Sequence, residues 1–149
     1  MSGTIRVEYN ELKAFAVKVE SKSRRVNSEI TEAIKKSVLT ISKEAKSNLA
    51  NNGSVDTGHL RRSIATKVKA TEGEVHTSNL KYAIYVEEGT RPHVIKAKKK
   101  KYLYWEGAKH PVRQVKHPGS KEKPYLVPAF NKETPEFIKR LEKVVTEFE

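Results

Sequence analysis

The chain has 149 residues, a formal net charge of +12 and no cysteine, with 36% hydrophobic and 32% charged residues. That length predicts a single domain, 1–149, with a modest core. The missing cysteines exclude a disulfide framework, a thiol nucleophile and a Cys-based zinc site. No apolar run approaches the roughly 18 residues of a membrane span, and the opening MSGTIRVEYNELK has no apolar leader region, so a cytosolic protein is expected.

The charge is uneven. Residues 91–123 carry 11 basic and 2 acidic side chains, a net +9, or three-quarters of the whole excess. Such a segment should meet something acidic, either nucleic acid or an acidic protein face; the plainer alternative is a solvated loop.

Residues 4–8 alternate as a short strand would, and Asn10 is a plausible N-cap. Residues 11–52 lack Pro and Gly. Their apolar positions (Leu12, Phe15, Val19, Val26, Ile30, Ile34, Val38, Ile41, Ala45, Leu49) recur at helical steps. The spacing predicts one long amphipathic helix, about 60 Å if unbroken, with a possible kink at Ser21–Asn27. Asn51-Asn52-Gly53 ends it. Residues 55–90 form a core of turn and strands. Asp56 or Thr57 caps a short helical turn that Leu60 and Ile64 fix to the core. Ile64 to Ala70 make a half-buried strand, Glu72-Gly73 the turn, and Glu74 to Thr77 its hairpin partner. Leu80 to Glu88 fits either a short helix or a strand.

Within the basic insertion, 91–123, Val94 to Ala97 read as a strand and Lys98 to Lys101 as a charged tip. Tyr102 to Trp105 read as a returning strand before a Glu106-Gly107 turn, and Val112 to Lys116 as a further strand. In 124–149 the main helix starts near Thr134, because Pro135 belongs in a first turn. Its apolar face is Phe137, Ile138, Leu141, Val144, Val145 and Phe148. The fold class is α+β: a long N-terminal helix, an antiparallel sheet with a basic hairpin insertion, and a C-terminal helix.

No catalytic constellation stands out. His59, His76, His93, His110 and His117 lack ligand spacing, and His110 and His117 fall on opposite faces of a regular strand. Glu87-Glu88 do not converge as paired carboxylates, which suggests a solvated or interface role. The scattered glycines build no phosphate cradle, and Ser63 and Ser78 lack a nucleophile elbow. A ribonuclease-like pairing of His93 or His110 with Lys101 or Arg113 would need only common surface residues. Lysines beside Tyr102, Tyr104 and Trp105 suit a nucleic-acid surface, a protein interface or plain core packing.

Three stretches together are more specific. Thr57-Gly58-His59-Leu60-Arg61-Arg62-Ser63-Ile64 is followed by Tyr82-Ala83-Ile84-Tyr85-Val86-Glu87-Glu88-Gly89-Thr90, then by Pro124-Tyr125-Leu126-Val127-Pro128-Ala129-Phe130. In order and spacing they resemble the head–tail joining, or tail-completion, family of long-tailed bacteriophages and prophages. The resemblance implies a structural subunit without enzymatic activity or cofactor. It implies a homo-oligomeric ring, usually a hexamer, at the head-proximal end of the tail. There it meets the tail tube protein and the neck or head-completion proteins, in the virion and, during assembly, in the host cytoplasm. The insertion departs from the pattern, and its role does not carry over. The expected subunit or partner interface is Tyr85, Glu87, Thr90 and Arg91 with Lys98, Lys99, Lys100, Lys101, Tyr102, Tyr104, Trp105 and Arg113. The aromatics would supply contact area and the lysines steering; the lysines could instead touch DNA in the channel. The alternative to a virion protein is a free basic nucleic-acid-binding module.

Overall fold

A computed structural model describes residues 24–54 and 58–147. The order is α1 (Arg24–Asn51), α2 (His59–Ser63), β1 (Ile64–Lys69), β2 (Glu72–Thr77), α3 (Ala83–Glu88), β3 (His93–Lys96), β4 (Gln114–His117) and α4 (Leu126–Thr146). The α+β class holds, with two separate two-stranded antiparallel sheets, β1–β2 and β3–β4. The expected strand at 4–8, the Asn10 cap, the helix start at Glu11 and Phe148 lie outside the described residues.

The central element is α1. Val26, Ile30, Ile34, Val38, Ile41, Ala45 and Leu49 form its apolar stripe, and none is more than 4% exposed. Against this stripe pack the β1–β2 hairpin, through Ile64 and Val75, and α4, through Leu126, Ala129, Phe137 and Val144. Burying each large aliphatic or aromatic side chain contributes about 1.5–3 kcal/mol, so this stripe is the main adhesive of the fold. As the sequence suggests, α1 stops at Asn51 and Gly53 is left-handed (φ 67°). The short helix α2 follows, with Leu60 and Ile64 buried; Gly58 stands at its cap position, in place of the expected Asp56 or Thr57, which lie outside the described residues.

Three expectations are corrected. The hairpin turns at Ala70-Thr71, and Glu72-Gly73 belong to β2, in register with Lys69 and Val68. Gly73 is there for packing: a Cβ would come within 2.6 Å of both Ile34 Cγ2 and Val38 Cγ1 on α1. Second, α4 begins at Leu126, well before Thr134, and runs through Pro135. Pro135 and Asn131 both face solvent, so the carbonyl deprived of its helical partner can meet water. On this helix Ile138 is 41% exposed and not part of the core. Third, Tyr102–Trp105 is not a strand; only Leu103 is bridged, to Val112. The undecided stretch Leu80–Glu88 ends in a helix, α3.

Candidate functional site

The basic insertion leaves the fold through a clamped base. Thr90 and Ser120 exchange amide bonds of 2.9 and 3.0 Å, and their hydroxyls meet at 3.0 Å. Gly89 (φ 72°) and Gly119 (φ 87°) flank this bridge, and a Cβ on either would run into the opposite backbone. Below it, the Lys123 amide donates to the Val86 carbonyl at 2.9 Å. The Glu87 carboxylate accepts the backbone N–H groups of Tyr125, Leu126 and Val127, each at 2.9 Å. These are the orphan donors at the start of α4, where the helix dipole also favours a negative charge. One carboxylate before the insertion therefore caps the helix after it.

Beyond the clamp, β3 and β4 form a ribbon in the register His93↔His117, Val94↔Lys116, Ile95↔Val115 and Lys96↔Gln114. The Ala97 amide continues it to the Arg113 carbonyl at 3.0 Å, and Leu103 and Val112 exchange bonds of 2.7 and 3.0 Å. Lys98 to Lys101 form the bend between these two pairings, and Glu106-Gly107 the turn beyond. No residue from 91 to 123 is buried. Tyr102, Tyr104 and Trp105 are 47, 69 and 47% exposed, which removes the core-packing alternative for them. The Arg113 guanidinium lies 5.9 Å from the Tyr102 ring centroid. A two-stranded ribbon without a buried face is marginal by itself; here the clamp holds its two ends together.

The expected interface residues separate into two groups and one exception. Tyr85, Thr90 and Arg91 line a shallow depression at the base, of about 490 Å³, with Ile84, Glu88 and His93. Lys98 to Lys101, Tyr102, Tyr104, Trp105 and Arg113 belong to the distal part. Glu87 is 6% exposed and occupied by its three amides, so it is no part of the surface. Sequence reading missed this cap, the Thr90–Ser120 clamp and the pairing of His93 with His117, whose rings lie 5.1 Å apart. A Gly-hydroxyl pair on each side of the insertion, Gly89-Thr90 and Gly119-Ser120, is the signal that could have found the clamp.

A second polar cluster lies between α1 and α4. Buried Ser37 donates to Glu133 Oε1 at 3.0 Å and accepts from Arg140 at 2.9 Å, while Arg140 also pairs with Glu133. The Tyr125 hydroxyl is buried with no partner, and burial, the Glu87 charge and Tyr82 hold its ionisation well above the usual tyrosine range. Among the described residues no cluster of three His, Cys, Asp or Glu could hold a metal ion, and no helix is long and apolar enough to cross a membrane.

The model of the family described as "Bacteriophage HK97-gp10, putative tail-component" matches residues 13–89, just over half of the chain. The chain belongs to this family. No curated protein and no solved structure matches it. The HK97-gp10-like match covers α1, α2, β1–β2 and α3 and contains the first of the three motifs and all but Thr90 of the second. It stops at Gly89, where the clamp begins, so the insertion and α4 lie beyond it. As an HK97-gp10-like tail component the chain is a structural part of the virion that contacts other phage structural proteins.

Proposed function

We propose that this tail component is the subunit of a ring, a hexamer, at the head-proximal end of the phage tail, which completes the tail and joins it to the neck. The observation that carries the reading is a family tail-component core bearing a 33-residue segment with no buried residue. Exposed Tyr85, Val94, Ile95, Tyr104 and Trp105 give that segment and its base more apolar contact area than a free surface needs. A ring supplies repeated heterologous contacts that close on themselves. In this reading the aromatic groups dock on a neighbouring subunit or on the tail tube protein, and the clamp fixes the angle at which they are presented.

The test is location. Gold-labelled antibody against a tagged copy should decorate purified virions at the head–tail junction. Label along the tail shaft or at its distal tip would refute the placement.

A further inference from the structure

Among the described residues, the insertion carries its lysines apart from any acidic partner. None of its eleven basic residues joins an ion pair among the described residues; the one cationic contact is Arg113 over Tyr102. The helices differ. There Lys35 pairs with Glu32, Lys132 with Glu44, Lys139 with Glu136, Lys143 with Glu147 and Arg140 with Glu133. Outside 91–123 the chain carries 19 basic and 16 acidic side chains, so positive charge is nearly balanced on the body of the protein and left in large excess on the arm. We propose that this arm, the tail-component insertion discussed above, binds the phosphate backbone of double-stranded DNA without reading its sequence.

The residue types decide between polyanions. Nine of the eleven cations are lysines. Lysine is depleted from the desolvated centres of protein interfaces, where arginine and aromatics dominate. As a mobile, hydrated point charge it suits phosphates, which need position and not fork geometry. Reading base edges takes Arg, Asn or Gln forks. The insertion has only Arg91, Arg113 and Gln114 of these types, and Arg113 lies over Tyr102. A single strand would need a row of free rings for stacking. Here Arg113 lies over Tyr102, one of the three rings. Lys96 and Lys116 share a face of the ribbon, and Lys98 to Lys101 extend the charge at the bend, so cations follow the arm along its length.

The experiment is fluorescence anisotropy of the purified full-length chain with a labelled duplex of about 30 base pairs, from roughly 50 to 200 mM salt. Binding should weaken steeply with salt. Replacing Lys98, Lys99, Lys100 and Lys101 together by Ser should flatten the slope of log K against log salt by about 3 to 4. The thermal unfolding curve should not change, since all four are exposed. A control replacing Lys36, Lys43, Lys67 and Lys69 by Gln removes the same charge from the body and should leave the slope intact. No binding at the lowest salt, an equal loss in the control, or tighter binding to a single strand of the same length would overturn the proposal. Because it uses the isolated chain, its outcome is independent of where the protein sits in the tail. DNA binding with label away from the junction would sink the ring placement alone; junction label without DNA binding would sink this proposal alone.

Discussion

Replacing Glu87 by Ala should destabilise the protein through a helix 38 residues away in sequence. The carboxylate holds three amides at 2.9 Å, and two of them, on Tyr125 and Leu126, belong to fully buried residues. A buried donor left without its acceptor costs about 1–3 kcal/mol, so even near the lower end these two contribute about 2–3 kcal/mol. The Val127 amide can turn to water, because that residue is exposed. Losing the negative charge at the helix N-terminus adds about 0.5–1 kcal/mol, partly offset because a buried charge no longer has to be desolvated. The net loss is about 3 kcal/mol, or roughly 10 °C in melting temperature for a chain of this size. Glu87→Gln keeps the shape but points an NH2 group at an amide donor, and should lose about 2 kcal/mol. Glu88→Ala, one residue on and exposed, should stay within about 0.5 kcal/mol. Thermal and urea unfolding followed by circular dichroism measure all three. If Glu87→Ala and Glu88→Ala lose the same, the capping argument is wrong.

Tyr125→Phe removes a buried hydroxyl that has no partner, and should be neutral or stabilise by up to about 1 kcal/mol. The same group gives a pH dependence. Burial first, then Glu87 and Tyr82, raise its ionisation in the folded state. Its contribution to stability is therefore complete below the ordinary tyrosine value, about pH 10. It is lost as pH rises beyond that, and urea midpoints across alkaline pH should fall less in Tyr125→Phe than in the parent. Gly73→Ala should cost about 1–3 kcal/mol by overpacking against Ile34 and Val38. Gly53→Ala, with open space around it, should lose only the left-handed backbone preference, about 1 kcal/mol; chemical denaturation that ranks them the other way would contradict the packing of β2 on α1. Arg140→Leu strands the buried Glu133 carboxylate and should cost about 3–5 kcal/mol, whereas adding Glu133→Leu should recover most of it. A double-mutant cycle reads this directly, and additive losses would show that the pair is not coupled.

Much of the fold was legible because its strongest signals are local. The stripe from Val26 to Leu49 repeats over many turns, and every member of it is buried. The misreadings arise where a residue answers to something distant. Gly73 looked like a turn glycine, but its missing side chain makes room for α1. Pro135 looked like a helix boundary, but it lies on a solvent face, and the real start at Leu126 is stabilised by Glu87. Tyr102-Leu103-Tyr104-Trp105 has the composition of a strand, yet strand propensity expresses a packed, half-buried face, and here Tyr102, Tyr104 and Trp105 all stay exposed. The candidate surface was legible as charge and aromatics. Their arrangement was not: the same letters serve a core, an interface or a nucleic-acid arm, and it is their exposure in the fold that removes the first. The clamp needs two short segments about 30 residues apart to meet, which no local pattern encodes.

In the function proposed above, this chain joins tails to heads. The most direct measurement is electron microscopy of particles from the source phage or prophage lacking this gene. Filled heads beside separate tails of uneven length, rejoined when the intact gene is supplied in trans, is the predicted result. Normally joined particles in its absence would contradict the claim.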